Sequence, residues 1–193
     1  MNQLVPSSTE TGHYSRLLEG MAHAVAAKGY AETTIADIVA EASVSRRTFY
    51  EHFTTKAECL IALYEAASHN ALKVLSDAID PSHGWEEQVE RALGAYLGCM
   101  SVNPVLMRTL FIEILGLGAE GLAARRRVNQ EIADYMLGVV NAGRAEKLSP
   151  QLAMAVVGGI HELVLQAIED GKVTELPELT KTATRLVKAV TRP

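Results

Sequence analysis

The chain has 193 residues, 48% of them hydrophobic, and a formal net charge of −5. That is enough for one or two packed cores and more than a bare DNA-reading module needs. The acidity excludes a globally basic nucleic-acid binder, so any DNA contact must come from a local patch. Aromatics make up only 5%, while Ala, Leu, Val and Glu are plentiful, which favours helix over sheet.

Residues 1–12 are polar, with Pro6, Ser7, Ser8, Thr9 and Gly12, and read as a flexible arm. A first helix over about 14–28 carries Tyr14, Leu17, Leu18, Met21 and Val25 at helical spacing, and Gly29 supplies its stop. A second starts near Thr34, with Asp37 as acidic partner in its first turn and Ile35, Ile38, Val39 and Ala42 as its buried face. Ser43 and Val44 make a very short break before Ser45, which caps a third helix with Phe49 and Phe53 one turn apart.

A fourth helix opens on Thr55-Lys56-Ala57-Glu58, a capping box, and runs to about Ala78. Asp80-Pro81-Ser82 ends that stretch, and a fifth helix follows from about Trp85. Asn103-Pro104 starts a sixth, closed by Gly116 and Gly118. A seventh spans about 120–142 and ends at Gly143; an eighth runs from Ser149-Pro150 to Gly171; a ninth covers about 177–190 with Leu179, Ala183, Leu186, Val187 and Val190 on one face. No segment shows strict alternation between hairpin turns. The expectation is an all-α fold of about nine helices, three short ones followed by six mostly longer ones.

Cys59 and Cys99 lie far apart and outside any C-x-x-C spacing, which fits a reducing cytoplasm and supports neither a disulfide scaffold nor a zinc site. The histidines at 13, 23, 52, 69, 83 and 161 show no metal-ligand spacing, so neither metal nor cofactor is expected. The first residues lack the apolar run of a signal peptide. The most apolar stretch, Leu152 to Ile168, is interrupted by Gly158, Gly159, His161, Glu162 and Gln166 and reads as too short and polar to span a bilayer. A cytoplasmic protein without a membrane partner is expected.

The segment Thr34 to Phe53 meets the demands of a helix-turn-helix: two short helices, a tight turn, a small apolar core, and outward residues that are polar and partly cationic. The core would be Ile35, Ile38, Val39, Val44, Phe49 and Phe53. The outward set would be Ser45, Arg46, Arg47, Thr48 and Tyr50. Arg46 and Arg47 stand at a helix N-terminus, where the dipole also favours a phosphate or a guanine edge. Lys56 opens the fourth helix in the same way. Over 43–57, Arg46, Arg47 and Lys56 against Glu51 leave +2, whereas 13–60 as a whole is at −1, with five basic and six acidic residues. Taken singly, each of these residues reads as solvated surface or core; the functional reading rests on the registered set.

The run from Gly29-Tyr30 through Thr33-Thr34-Ile35-Ala36-Asp37-Ile38-Val39-Ala40-Glu41-Ala42 and Ser43-Val44-Ser45-Arg46-Arg47-Thr48-Phe49-Tyr50-Glu51-His52-Phe53 to Lys56 closely resembles the DNA-binding domain of the tetracycline-repressor (TetR) family. The resemblance covers about 13–60. It implies nine helices, with the first three binding DNA, the fourth connecting, and the last two building a four-helix dimer interface. It further implies that Thr34, Tyr50, His52 and Lys56 contact phosphates, while Ser45, Arg46, Arg47 and Thr48 face the groove. Where the family often has Gly, this chain has Ser43, which should cost a little strain in a left-handed turn. The family's common small residue after Arg46 is here Arg47.

Residues 61–193 are expected to form a ligand-binding and dimerisation domain. The eighth helix is apolar nearly all round and so needs cover on two sides. A homodimer would supply it, through Val156, Gly159, Leu163, Leu186 and Val190, and would present two recognition helices to successive major grooves about 34–36 Å apart. Tyr96, Met100, Met107, Phe111, Tyr135 and His161 are candidates for a pocket holding an unidentified small-molecule effector. Arg125, Arg126 and Arg127 read as a solvated, ion-paired face. The expected function is a regulator, released as a repressor from a palindromic double-stranded DNA operator by that effector. The alternatives are an interaction protein that kept the fold and lost DNA binding, or an enzyme on a helical scaffold. No G-x-S-x-G, H-E-x-x-H, phosphate loop or dinucleotide turn supports the last.

Overall fold

A computed structural model of the protein describes residues 8–142 and 145–191. Among the described residues there are nine α-helices, two 3-10 segments and no strand. The helices are α1 (Ser8–Glu32), α2 (Ile35–Glu41), α3 (Arg46–His52), α4 (Lys56–Asp77), α5 (Trp85–Ser101), α6 (Pro104–Phe111), α7 (Ala119–Val140), α8 (Pro150–Glu169) and α9 (Thr180–Thr191). The 3-10 segments, Glu113–Leu117 and Val173–Leu179, lead into α7 and α9.

Local chemistry accounts for most of these boundaries. The Thr34, Ser45, Thr55, Asn103 and Ser149 side chains each accept a backbone N–H from the first turn of α2, α3, α4, α6 and α8, satisfying donors that a helix start leaves orphaned. Gly29 breaks α1 as expected, at φ 79° and ψ 162°, but helical backbone resumes to Glu32. The expected arm reaches residue 12, yet residues 8–12 already form the start of α1; residues 1–7 lie outside the described residues, as does Gly143, the expected end of α7. α6 stops at Phe111 rather than at Gly116, because the chain tightens there into 3-10 geometry. α9 starts three residues later than expected, after a 3-10 segment that contains Pro177.

Three apolar clusters hold the helices. The first joins Leu17 and Met21 of α1, Ile38 of α2, Phe49 of α3 and Leu60 of α4 to Leu110, Ile114, Ala124 and Val128. Helices α1 to α3 therefore share one core with α6 and α7, and α4 runs unbroken through the expected boundary at 60/61. The second cluster lies among α5, α6, α8 and α9, and the third joins α7 to α8. The approach of α1 to α2 requires Gly20, since a Cβ there would stand 2.6 Å from the Ile38 carbonyl oxygen and 2.9 Å from Ala42 Cβ.

The eighth helix departs from expectation. With 20 residues it is long and apolar enough to cross a membrane by length and composition alone. It packs against α6, α7 and α9 as a core helix, yet only 39% of its most apolar stretch is buried within the chain.

Candidate nucleic-acid interface and effector cavity

The turn between α2 and α3 places Ser43 in the left-handed region at φ 50°, the only described residue other than glycine with positive φ. The Arg16 guanidinium donates to the Ser43 carbonyl at 2.6 Å and ties the turn to α1. At the start of α2 the capping box is complete. Asp37 accepts from the Thr34 N–H at 2.7 Å and from its hydroxyl, and returns its own N–H to that hydroxyl at 3.3 Å. Lys28 Nζ lies 2.7 Å from the same carboxylate. Lys28 first, then the Thr34 hydrogen bonds, hold the Asp37 carboxyl well below the usual carboxylate range.

On α3, Phe49 is fully buried and Phe53 nearly so, which turns the opposite face outward. Ser45, Arg46, Arg47 and Tyr50 are exposed and Thr48 is half-buried. Tyr50 is 58% exposed, its ring edge-on to Phe49, so it is not core. Thr48 exchanges a hydrogen bond with Ser45 at 2.9 Å. Arg47 pairs with Glu51 at 3.0 Å, one turn along, which partly cancels its charge. Arg46 makes no ion pair among the described residues. The half-buried His52 ring packs near Tyr14 and Phe53.

Lys56 stands differently from what the resemblance implies. Its ammonium turns inward, donating to the carbonyls of Tyr30, Ala31 and Thr33 at 3.0, 3.3 and 2.8 Å, and lies 4.4 Å from the centre of the Tyr30 ring. It closes the C-terminal end of α1, where unpaired carbonyls and the negative dipole end attract a cation. Beside it the Tyr30 N–H donates to Glu113 Oε2 at 2.7 Å, across 83 residues of sequence. The end of α1 is thus held by α4 and by the 3-10 segment that follows α6.

The larger half contains two adjoining cavities. One, of about 260 Å³, lies between α4, α5 and α6 and is lined by Tyr96, Met100, Met107, Phe111 and His161 of the expected pocket set. The other, of about 100 Å³, is lined by Tyr135 and Val156 among mainly aliphatic neighbours. Tyr96 and His161 stand in the wall of both. His161 Nδ1 donates to Asn129 Oδ1 at 3.1 Å, and its Nε2 accepts the Tyr96 hydroxyl at 3.0 Å. Burial pushes the imidazole pKa down to about 4, helped by the charge of Arg125. Burial likewise raises the phenol of Tyr96 above its ordinary value. Both imidazole nitrogens and the Tyr96 hydroxyl are thus paired, as buried polar groups are expected to be. Sequence reasoning missed Asn129 and Tyr64, another cavity wall residue; both sit inside helices, and no local pattern sets them apart from core.

The expected dimer residues separate into two groups. Leu163, Leu186 and Val190 are half-buried. Val156 is 3% exposed and faces the chain's own core, so it cannot reach a partner without rearrangement. Gly159 accommodates Leu186 of the same chain, where a Cβ would come within 3.3 Å of Cδ2. Gly158 faces open space instead, and Leu152, nearer the start of the helix, is exposed. Of the three arginines on α7, Arg127 pairs with Glu65 of α4 at 2.6 Å, and all three are exposed.

Residues 17–63 match the model of the tetR family of bacterial regulatory proteins. A curated relative, described as an uncharacterized HTH-type transcriptional regulator, YxbF of Bacillus subtilis strain 168, is 30% identical over 77 residues. That match spans 40% of this chain and only 20% of the relative's length. Among solved structures, the transcriptional regulator FadR of Bacillus subtilis in complex with stearoyl-CoA superposes with a TM-score of 0.76 at 17% identity, covering 90% of this chain and 97% of its own. A putative TetR-family regulator from Syntrophomonas wolfei gives 0.74 at 17% identity, covering 94% and 95%. At these identities the structures share the fold.

Proposed function

We propose that the chain is a transcriptional repressor of the tetR family, whose model its residues 17–63 match, and that a small molecule releases its hold on a palindromic operator. The observation that carries the reading is one continuous apolar core from α3 to the cavity wall. The α3 face presents Arg46 and Tyr50 outward, and its Phe49 anchor lies in the same core as Leu110 and Ile114, beside the cavity wall.

A route for coupling follows from the same contacts. Tyr64 of α4 and Met107 and Phe111 of α6 line the larger cavity. A ligand that pushes α6 would also move Glu113, two residues beyond its end, and with it the hydrogen bond to Tyr30 at the close of α1. Only a differential affinity for two arrangements of these helices can shift DNA binding. Homodimerisation is supported by the share of α8 left outside the chain's own core: only 39% of its most apolar stretch is buried, and Leu152 and Ala155 are exposed on it. Thr34, Ser45, Arg46, Arg47, Thr48, Tyr50, His52 and the backbone at the start of α4 form the proposed DNA surface. The Lys56 ammonium would first have to leave its three carbonyls.

The test is a titration of candidate ligands against the chain bound to a DNA site selected from random duplexes. A graded loss of affinity supports the switch. Affinity unchanged by every ligand that protects the protein thermally would remove it and leave DNA binding standing.

A further inference from the structure

The walls of the larger cavity carry no formal charge at neutral pH. They contain no Lys, Arg, Asp or Glu, and their only imidazole, His161, has both nitrogens paired within the protein. Arg125, whose charge is felt at Tyr64 and His161, is exposed on α7 and lies outside the walls. The exposed wall residues Asn70, Val102 and Asn103 mark the mouth, and none of them is ionisable. An ion carried inside would lose its water and gain no counter-charge, whereas a neutral apolar molecule loses little.

One wall group is left over. Tyr64 is buried, with 6% of its surface exposed, and its hydroxyl makes no hydrogen bond among the described residues. Burial pushes its pKa up to about 12, so the group stays a protonated donor. The neighbouring Tyr96 hydroxyl is already spent on His161. Among the described residues Thr184 Oγ1 is the one fully buried side-chain polar atom without a partner, so the Tyr64 hydroxyl still opens on the cavity and is free to donate to an occupant.

We propose that this cavity takes an uncharged, largely apolar molecule whose single polar oxygen accepts a hydrogen bond from the Tyr64 hydroxyl. Size limits it further. A dry cavity of about 150 Å³ holds benzene, so one of this volume holds on the order of ten heavy atoms. Long-chain alcohols, ketones and small phenols fit that description; carboxylates and acyl carriers with a charged head inside the cavity do not. The inference rests on the reading of this cavity as the effector site.

Four probes separate the cases: decanol, decanoate, decanoyl-CoA and naphthalene, each titrated into the intact protein with thermal protection and calorimetry as readouts. Decanol should bind about tenfold or more tightly than decanoate. Tyr64→Phe should weaken decanol about three- to tenfold, the worth of one hydrogen bond, and leave naphthalene, which has no acceptor oxygen, unchanged. Decanoate or decanoyl-CoA binding as tightly as decanol, no protection by decanol, or equal losses for decanol and naphthalene in the variant would each overturn the proposal. DNA affinity measured in the same samples keeps the two readings apart. A charged probe that binds and releases DNA preserves the switch and removes the neutral ligand. Decanol that binds without moving DNA affinity does the reverse.

Discussion

Replacing Lys56 by Met keeps the apolar stem and removes the ammonium that closes α1. Three carbonyls, at 2.8 to 3.3 Å, share that one group, and the Tyr30 ring lies beneath it. A hydrogen bond to a charged group is worth about 1.5–3 kcal/mol net. The three bonds come from one partly exposed donor that water solvates well in the unfolded chain, so together they count as little more than one strong bond. Adding about 0.5–1 kcal/mol for the cation over the ring gives a loss of about 2–4 kcal/mol. For a chain of this length that lowers Tm by about 5–15 °C. Thermal and urea unfolding, at one fixed protein concentration so that any self-association contributes equally, measure the change. The opposite pattern would refute the argument: wild-type stability, together with a salt dependence of DNA affinity reduced by about one phosphate contact. Lys56 would then serve DNA, not the end of α1.

Gly20→Ala should destabilise by about 1–3 kcal/mol by forcing α1 from α2, and circular-dichroism melts would show a wild-type Tm if the close approach were unimportant. Ser43→Gly relieves the left-handed strain at φ 50° and should raise stability by roughly 0.5–1 kcal/mol; a decrease in urea midpoint would mean the Ser43 side chain compensates in some other way. His161 is held neutral, with its folded pKa near 4 against 6.5 unfolded. The unfolded chain therefore binds more protons in that window, and stability falls as pH drops from about 6.5 to about 4, by on the order of 3 kcal/mol in total. The difference between wild type and His161→Gln, followed by urea unfolding across that range, should carry this slope, and parallel curves would contradict it.

What could be read from the chain alone was local. The Thr34 start with Asp37 in its first turn, the Ser45 cap and the strained Ser43 all follow from residues within a few positions of one another, and the structure shows each of them; the expected Thr55–Glu58 capping box forms only in half, because Glu58 accepts from the Thr54 N–H instead. The alternation of Phe49 and Phe53 with exposed Arg46 and Tyr50 is helical periodicity and is equally local. Long-range partners were not legible. Nothing near Lys56 indicates that three carbonyls from the end of α1 lie within its reach, and nothing near Glu113 points to Tyr30. Gly116 and Gly118 look like a helix stop, yet α6 had already tightened at Phe111, because 3-10 geometry leaves little trace in composition. Val156 and Gly159 lie on an all-round apolar helix, where periodicity cannot tell the chain's own core from a partner's face. The structure assigns Val156 to the core and Gly159 to α9, and leaves Gly158 open.

The most direct test of the central claim is selection of duplex DNA from a random pool by the intact protein, followed by salt-titrated affinity for wild type and Arg46→Ala. The account predicts a palindromic site whose half-sites are centred about one helical turn, or a multiple of it, apart. Affinity should fall as salt rises, and Arg46→Ala should lose about 1–3 kcal/mol. A pool with no enriched sequence, or an Arg46→Ala variant that binds the selected site like wild type, would contradict it.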